Sequence, residues 1–124
     1  MIDPTALVYG AVFLMEFPYS DNPKQWDLRP AVVVSNEEFN ALWLEKKVIA
    51  AYITTKQPVP LNQYHISIQK STEEYVSSGL KQNSYIRLDK LITVDVSAVK
   101  GYLGLLPEKF MNKFRIGELC KSIF

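Results

Sequence analysis

One cysteine and one histidine are all that this chain has of the two side chains most often used to hold transition metals or to attack substrates. A lone Cys120 forms no intrachain disulfide, so the fold rests on its core, and such sparing cysteine use fits a reducing compartment. An excess of charge is missing as well. Fourteen Lys and Arg stand against thirteen Asp and Glu, a formal net charge of +1. That excludes a chain-wide electrostatic footprint for nucleic acid, and any such binding has to come from a local patch. The longest apolar run, around residues 6–17, is interrupted by Gly10 and Glu16 and is too short to span a bilayer. The opening Met1-Ile2-Asp3-Pro4 places an acid where a secretory leader would be basic. No repeat, low-complexity tract or linker divides the 124 residues, which read as one cytoplasmic domain spanning 1–124.

What the chain does have is a core and a set of short extended runs. Hydrophobic residues make up 48% and aromatics 12%, enough for a single buried interior. A first strand is expected over 8–17, with Val12, Leu14 and Glu16 on one face and Phe13, Met15 and Phe17 on the other. A loop over 18–28 follows, rich in turn formers, and a second strand over 30–35. Ser35-Asn36-Glu37-Glu38 reads as the cap of a short helix over 37–44. The β-branched run 48–54 reads as a buried strand and 65–68 as a short one. Residues 70–83 read as a loop with one helical turn. The stretch 84–94 alternates, with Tyr85, Arg87 and Asp89 on a solvated side. Gly101 to Gly104 reads as a break with its own short extended piece, and Pro107 as the first residue of a closing helix. That helix carries Phe110, Met111 and Phe114 on one face and Ile116, Leu119, Cys120 and Ile123 nearly opposite. The pattern predicts a β-rich (α+β) domain, a small barrel or half-open sheet with a C-terminal helix.

Taken singly, few residues advertise chemistry. Neither a nucleotide-binding glycine pattern nor a metal-ligand cluster is present, and no serine stands at a telling distance from the histidine. His65 reads first as a half-exposed strand residue and only second as a general base. Cys120 reads as a small buried hydrophobe. Arg29 stands directly before Pro30, which holds it to extended backbone at the mouth of the second strand. Such an arginine reads as an ion-pair partner before it reads as a catalytic group, and Thr54 reads as a capping hydroxyl before a donor to substrate.

Read together, the pieces resemble a known family. Gly10, then Phe17-Pro18-Tyr19-Ser20-Asp21, a polar loop and Arg29-Pro30-Ala31-Val32-Val33-Val34-Ser35 resemble the opening signature of the PemK/MazF toxins. Ile53-Thr54 after a buried strand is similar to that family's second motif, and 84–94 followed by Gly101 to Leu106 to its third. Two positions depart from the pattern. Gly10-Ala11 replaces the usual Gly-Asp, and Leu28 replaces a basic residue before Arg-Pro, which lowers local positive charge.

The resemblance implies an SH3-like barrel, a homodimer, and a metal-independent endoribonuclease for single-stranded RNA that needs no cofactor. It implies an antitoxin partner with an acidic flexible tail, and operator DNA bound only through the antitoxin complex. The family's catalytic arginine falls on Arg29 and its threonine on Thr54. Arg29 suits charge stabilisation, because its planar fork grips non-bridging phosphate oxygens in a bidentate way. Thr54 can donate its hydroxyl to the same phosphate. The base is not evident: Asp21, in the loop facing Arg29, is one candidate, water and the substrate itself the others. RNA-binding side chains are expected at Tyr19, Ser20, Lys24, Trp26, Ser35, Thr55 and Lys56, with Tyr19 and Trp26 as stacking platforms or as packing for their loop. A competing reading is a non-enzymatic toxin of the same fold that acts on DNA gyrase, as the CcdB family does. Those proteins act through C-terminal residues including a tryptophan, and the tail here, Cys120-Lys121-Ser122-Ile123-Phe124, has none. A third is a cleavage-dead relative that only binds.

Overall fold

A computed structural model describes residues 6–18, 26–36, 47–113, 116 and 118. The strands are β1 (Ala11–Pro18), β2 (Trp26–Val33), β3 (Lys47–Thr54), β4 (His65–Ile68), β5 (Ser84–Asp95) and β6 (Val99–Leu105). They form one antiparallel six-stranded sheet in the order β4-β5-β3-β2-β1-β6. The sheet is not closed, so β4 and β6 are its edges. Two short helices, α1 (Glu73–Ser78) and α2 (Glu108–Lys113), and a 3-10 turn at Val96–Ala98 complete the described elements. The helix expected over 37–44 lies outside the described residues.

Alternation explains how one sheet carries two apolar layers. Val12, Val32, Ala51, Ile53, Ile66, Ile86 and Leu88 fall on one face, where Leu106, Phe110, Met111 and Ile116 pack on them. Phe13, Met15, Ala31, Val33, Ala50 and Val94 fall on the other, with Leu7, Val96 and Val99. The expected split of β1 into two faces therefore holds. The expected split of the closing helix does not extend to Ile116, which is fully buried in the same cluster as Phe110 and Met111. Phe114, Leu119, Cys120 and Ile123 lie outside the described residues.

Several boundaries differ from the sequence pattern for physical reasons. β1 starts at Ala11, not residue 8, because Gly10 (φ +93°) turns the chain, donating its N–H to Val33 O and accepting from Leu106 N, each at 2.9 Å. β2 starts at Trp26, ahead of Arg29, because pairing with β1 runs to Pro18↔Trp26 and overrides the turn preference of Asp27. The short extended piece expected at 101–104 is there, but it is part of the longer strand β6 and its glycines do not break the chain. Gly104 is there because a Cβ would overlap the Ser77 carbonyl oxygen, and one on Gly79 would overlap that of Leu103. Glycine at both positions thus lets α1 dock backbone to backbone on β6. α1 itself is capped by Thr72, whose side chain accepts from Tyr75 N, and ends at Gly79 in the left-handed region (φ +74°).

Candidate nucleic-acid site at the end of the β2–β3 ladder

Arg29 and Thr54 belong to neighbouring strands, and the register decides whether they meet. β2 and β3 pair as Val33↔Ala50, Val32↔Ala51 and Ala31↔Tyr52. Val34 N donates to Ile49 O on the β3 side, whereas Val33 O accepts from Gly10 N on the β1 side, both at 2.9 Å. Alternation then aims residues 32 and 30 at β3. Pro30 has no N–H to give. The ladder consequently ends beyond Ala31, and its register carried two residues further sets Arg29 level with Thr54. On its other side Arg29 pairs with Met15 in β1. Thr54 pairs with Tyr85, and Tyr85 with Ser67, so a polar row runs from Arg29 to the β4 edge.

Within that row Arg29 is exposed and Thr54 half-buried. Thr54 Oγ1 accepts the N–H of Lys56 at 3.1 Å, a short turn that fixes the side chain while leaving its own hydroxyl proton to donate. Thr55 and Lys56 follow on the exposed loop beside it. Ser35 is not brought to this place. It is buried, its Oγ accepts from Ile49 N at 2.9 Å, and six residues of nearly extended chain separate it from Arg29, roughly 20 Å. Trp26 opens β2 opposite Pro18. Tyr19, Ser20, Asp21 and Lys24 lie outside the described residues.

A second polar row lies one step along the same face: Ala31↔Tyr52, Tyr52↔Arg87 and Arg87↔His65. Beyond Arg87 the β3–β5 register jumps, with Ala51 opposite Leu91, so that residues 88–90 bulge. The bulge turns Asp89 back on Arg87. Arg87 Nε donates to Asp89 Oδ1 at 3.1 Å and Nη2 to Oδ2 at 2.7 Å, a bidentate fork. These hydrogen bonds are the leading reason that the Asp89 carboxyl is held below, and the Arg87 guanidinium above, its ordinary pKa. Burial alone pushes the Tyr52 phenol up.

His65 is buried rather than half-exposed, because β4 pairs its whole length with β5 and turns the ring toward the bulge. Asn62 N–H donates to its Nδ1 at 3.2 Å, which leaves the ring proton on Nε2. Nε2 lies 3.4 Å from Asp89 Oδ1, within ion-pair distance but without hydrogen-bond geometry. Alternation had put Tyr85, Arg87 and Asp89 on one side of a strand. Nothing in the sequence said that a histidine from another strand would sit under them, because that depends on register. Among the described residues no three His, Cys, Asp or Glu side chains stand together as a metal-ligand set.

A family model for the PemK-like, MazF-like toxins of type II toxin–antitoxin systems matches residues 9–116, most of the chain. The chain belongs to that family. Comparison with curated protein sequences gives no match. Among solved structures, the toxin is similar to a mycobacterial endoribonuclease in complex with its cognate antitoxin, at 19% identity and a TM-score of 0.67, over 94% of this chain and 96% of that one. It is similar also to the Mycobacterium tuberculosis toxin MazF-mt6, at 18% identity and a TM-score of 0.63, over 92% and 98% of the two chains. A MazE–MazF complex from Deinococcus radiodurans matches at 16% identity and a TM-score of 0.63, over 94% and 96%. At these identities the likeness establishes the fold, the MazF-like barrel, with its sheet open in this toxin.

Proposed function

We propose that this toxin is a metal-independent endoribonuclease that cuts single-stranded RNA by attack of a 2′-hydroxyl on the adjacent phosphate. The observation that supports the reading is the β2–β3 register, which, carried two residues beyond Ala31↔Tyr52, sets an exposed Arg29 level with Thr54. In the reaction the 2′-oxygen forms a bond to phosphorus as the bond to the 5′-oxygen breaks. The proton lost from the 2′-hydroxyl is balanced by one gained at the leaving 5′-oxygen. Arg29 neutralises charge on the non-bridging oxygens, and Thr54 donates its hydroxyl to one of them. Thr55, Lys56, Trp26 at the start of β2 and the loop bearing Tyr19, Ser20, Asp21 and Lys24 contact the flanking nucleotides, with Asp21 or water taking the proton. Membership of a toxin–antitoxin family supports an antitoxin partner, and the antitoxin-bound relatives support it further. The active form is a homodimer in the cytoplasm.

The deciding assay maps fragment ends by mass on one long, mixed-sequence single-stranded transcript. Cyclic 2′,3′-phosphate and 5′-hydroxyl ends are expected, and cutting should persist in excess EDTA. Arg29→Ala should lower kcat by at least about 100-fold, the usual loss for one such donor, with the fold intact. Arg29→Lys should restore little, because a point charge does not reproduce the fork. A 5′-phosphate end, strict magnesium dependence or full activity in Arg29→Ala refutes the mechanism.

A further inference from the structure

The network in the second row is more than a solvated strand face. Its carboxylate is held by the Arg87 fork, and a His65 ring whose side chain is only 3% exposed lies behind it, Nε2 3.4 Å from Oδ1. Arg87 is half-buried, with 26% of its side chain exposed, and Asp89 beside it is more open at 36%. Asp89 takes Nε and Nη2, whereas Nη1 donates to nothing among the described residues. A guanidinium fixed along one edge and unused along the other is prepared for a planar or tetrahedral anion. Its location gives the anion an identity. Arg87 lies two residues along β5 from Tyr85, the partner of Thr54, on the same face. The diagonal from Thr54 to Arg87 is therefore about 7–8 Å. A neighbouring phosphate on an extended strand lies at a comparable step.

We infer that Arg87 binds the backbone phosphate next to the scissile one, with Asp89 and the buried His65 as positioning residues that hold its guanidinium ready. This inference rests on the nuclease reading above and extends it by a second phosphate subsite. Asp89 offsets much of the long-range attraction of Arg87, so what Arg87 offers is a short-range ionic contact to one phosphate. The value of the pair lies in orientation, which removes the rotamer freedom that a free arginine would lose on binding. The buried histidine contributes by closing off the other positions of the carboxylate.

The test uses the full-length toxin in two steps. The cut is first mapped on the long transcript, and a short RNA around it is then made with deoxyribose at the scissile nucleotide, so that it binds without being cut. For Arg87→Ala, KM on the cleavable short RNA should rise about tenfold with kcat within about twofold. The salt dependence of binding to the deoxy form should flatten by about 0.7 in log–log slope, the value of one phosphate contact on a single strand. Asp89→Asn separates orientation from charge. It removes a negative charge, so a contact driven by charge alone would bind RNA more tightly, whereas a lost orientation binds it more weakly. The double variant Arg87→Ala/Asp89→Asn should bind no worse than Arg87→Ala. Circular dichroism and the melting temperature check that each variant folds. An unchanged KM and salt slope in a folded Arg87→Ala overturns the subsite, as does tighter binding by Asp89→Asn. If the wild type cuts and Arg29→Ala does not, either result leaves the nuclease reading standing. A wild type that neither binds nor cuts RNA overturns both.

Discussion

At the scale of single residues, the site depends on which of a side chain's hydrogen-bonding positions are already taken. Thr54 Oγ1 accepts Lys56 N–H in a loop turn, and its proton is what remains for substrate. Thr54→Val keeps the β-branched shape that suits a strand end and deletes the hydroxyl. Because the lost turn bond is exposed, stability should fall by no more than about 1 kcal/mol, while kcat should drop by about 100-fold or more. Thr54→Ser should retain most of the rate. Single-turnover cleavage alongside a urea melt measures both. Asp89 makes a prediction about acid. Its carboxyl is more acidic folded than in the unfolded chain, where it titrates at about 3.9, so the unfolded state takes up the proton first. The stabilisation is therefore complete above that value and disappears as pH falls through the lower, folded one. Wild type should melt higher than Asp89→Asn at pH 7, and the gap should close in strong acid. A gap that stays constant down to about pH 2 would remove the fork from the ledger of stability.

At the scale of elements, two glycines and one proline decide how strands and helices meet. Gly104 and Gly79 let α1 approach β6 until backbone touches backbone, and Gly79 also adopts a φ of +74°. Gly104→Ala should destabilise the fold by about 3 kcal/mol, since no flexible side-chain end is there to move aside. Equilibrium urea unfolding reads it directly, and a cost under about 0.5 kcal/mol would mean that α1 can dock elsewhere. This contact also shows what the sequence can reveal and what it cannot. The β-branched run of β3, the alternating runs of β4 and β5 and the proline at the start of the closing helix were legible, since each is a local pattern. At 101–104 the extended piece was legible but the break was not borne out, because a glycine in a strand looks the same whether it ends the strand or admits a neighbour. The split of the closing helix failed at Ile116 because helical periodicity cannot say which layers a short helix lies between. Arg29 and Thr54 were legible as motifs, but their common level depends on register, and the contribution of Pro30 is to stop the ladder there. His65 and Asp89 were not legible as neighbours, since a bulge between two sequence-distant strands brings them together.

At the scale of the whole molecule, the questions are what copies and partners the surface is made for. Burial of Ile116 with Phe110 and Met111 removes part of the reason to seek a second surface over the closing helix. The exposed Tyr102 and Leu105 on the edge strand β6, each 44% accessible, are among the apolar residues that a second copy could cover. Sedimentation at micromolar concentration should give twice the chain's 14.2 kDa, and a clean monomer would refute the homodimer. Inhibition follows from the charge of the site rather than from its shape. The chain's net charge is only +1, so attraction for an anionic partner must be local, and Arg29 and Lys56 are exposed beside Thr54 to provide it. Carboxylates on an antitoxin tail would seek these cations as phosphates do, which makes tail and RNA rivals for one surface. An acidic peptide should therefore raise the apparent KM for RNA without lowering kcat, and its hold should weaken as added salt screens exposed charges. Arg29→Ala and Lys56→Ala should each weaken the peptide, as read by fluorescence anisotropy, while Lys109→Ala, exposed on α2, which packs against the opposite face of the sheet, should not. A peptide that binds equally well in the presence of saturating deoxy-substituted RNA would show that inhibition acts from another surface.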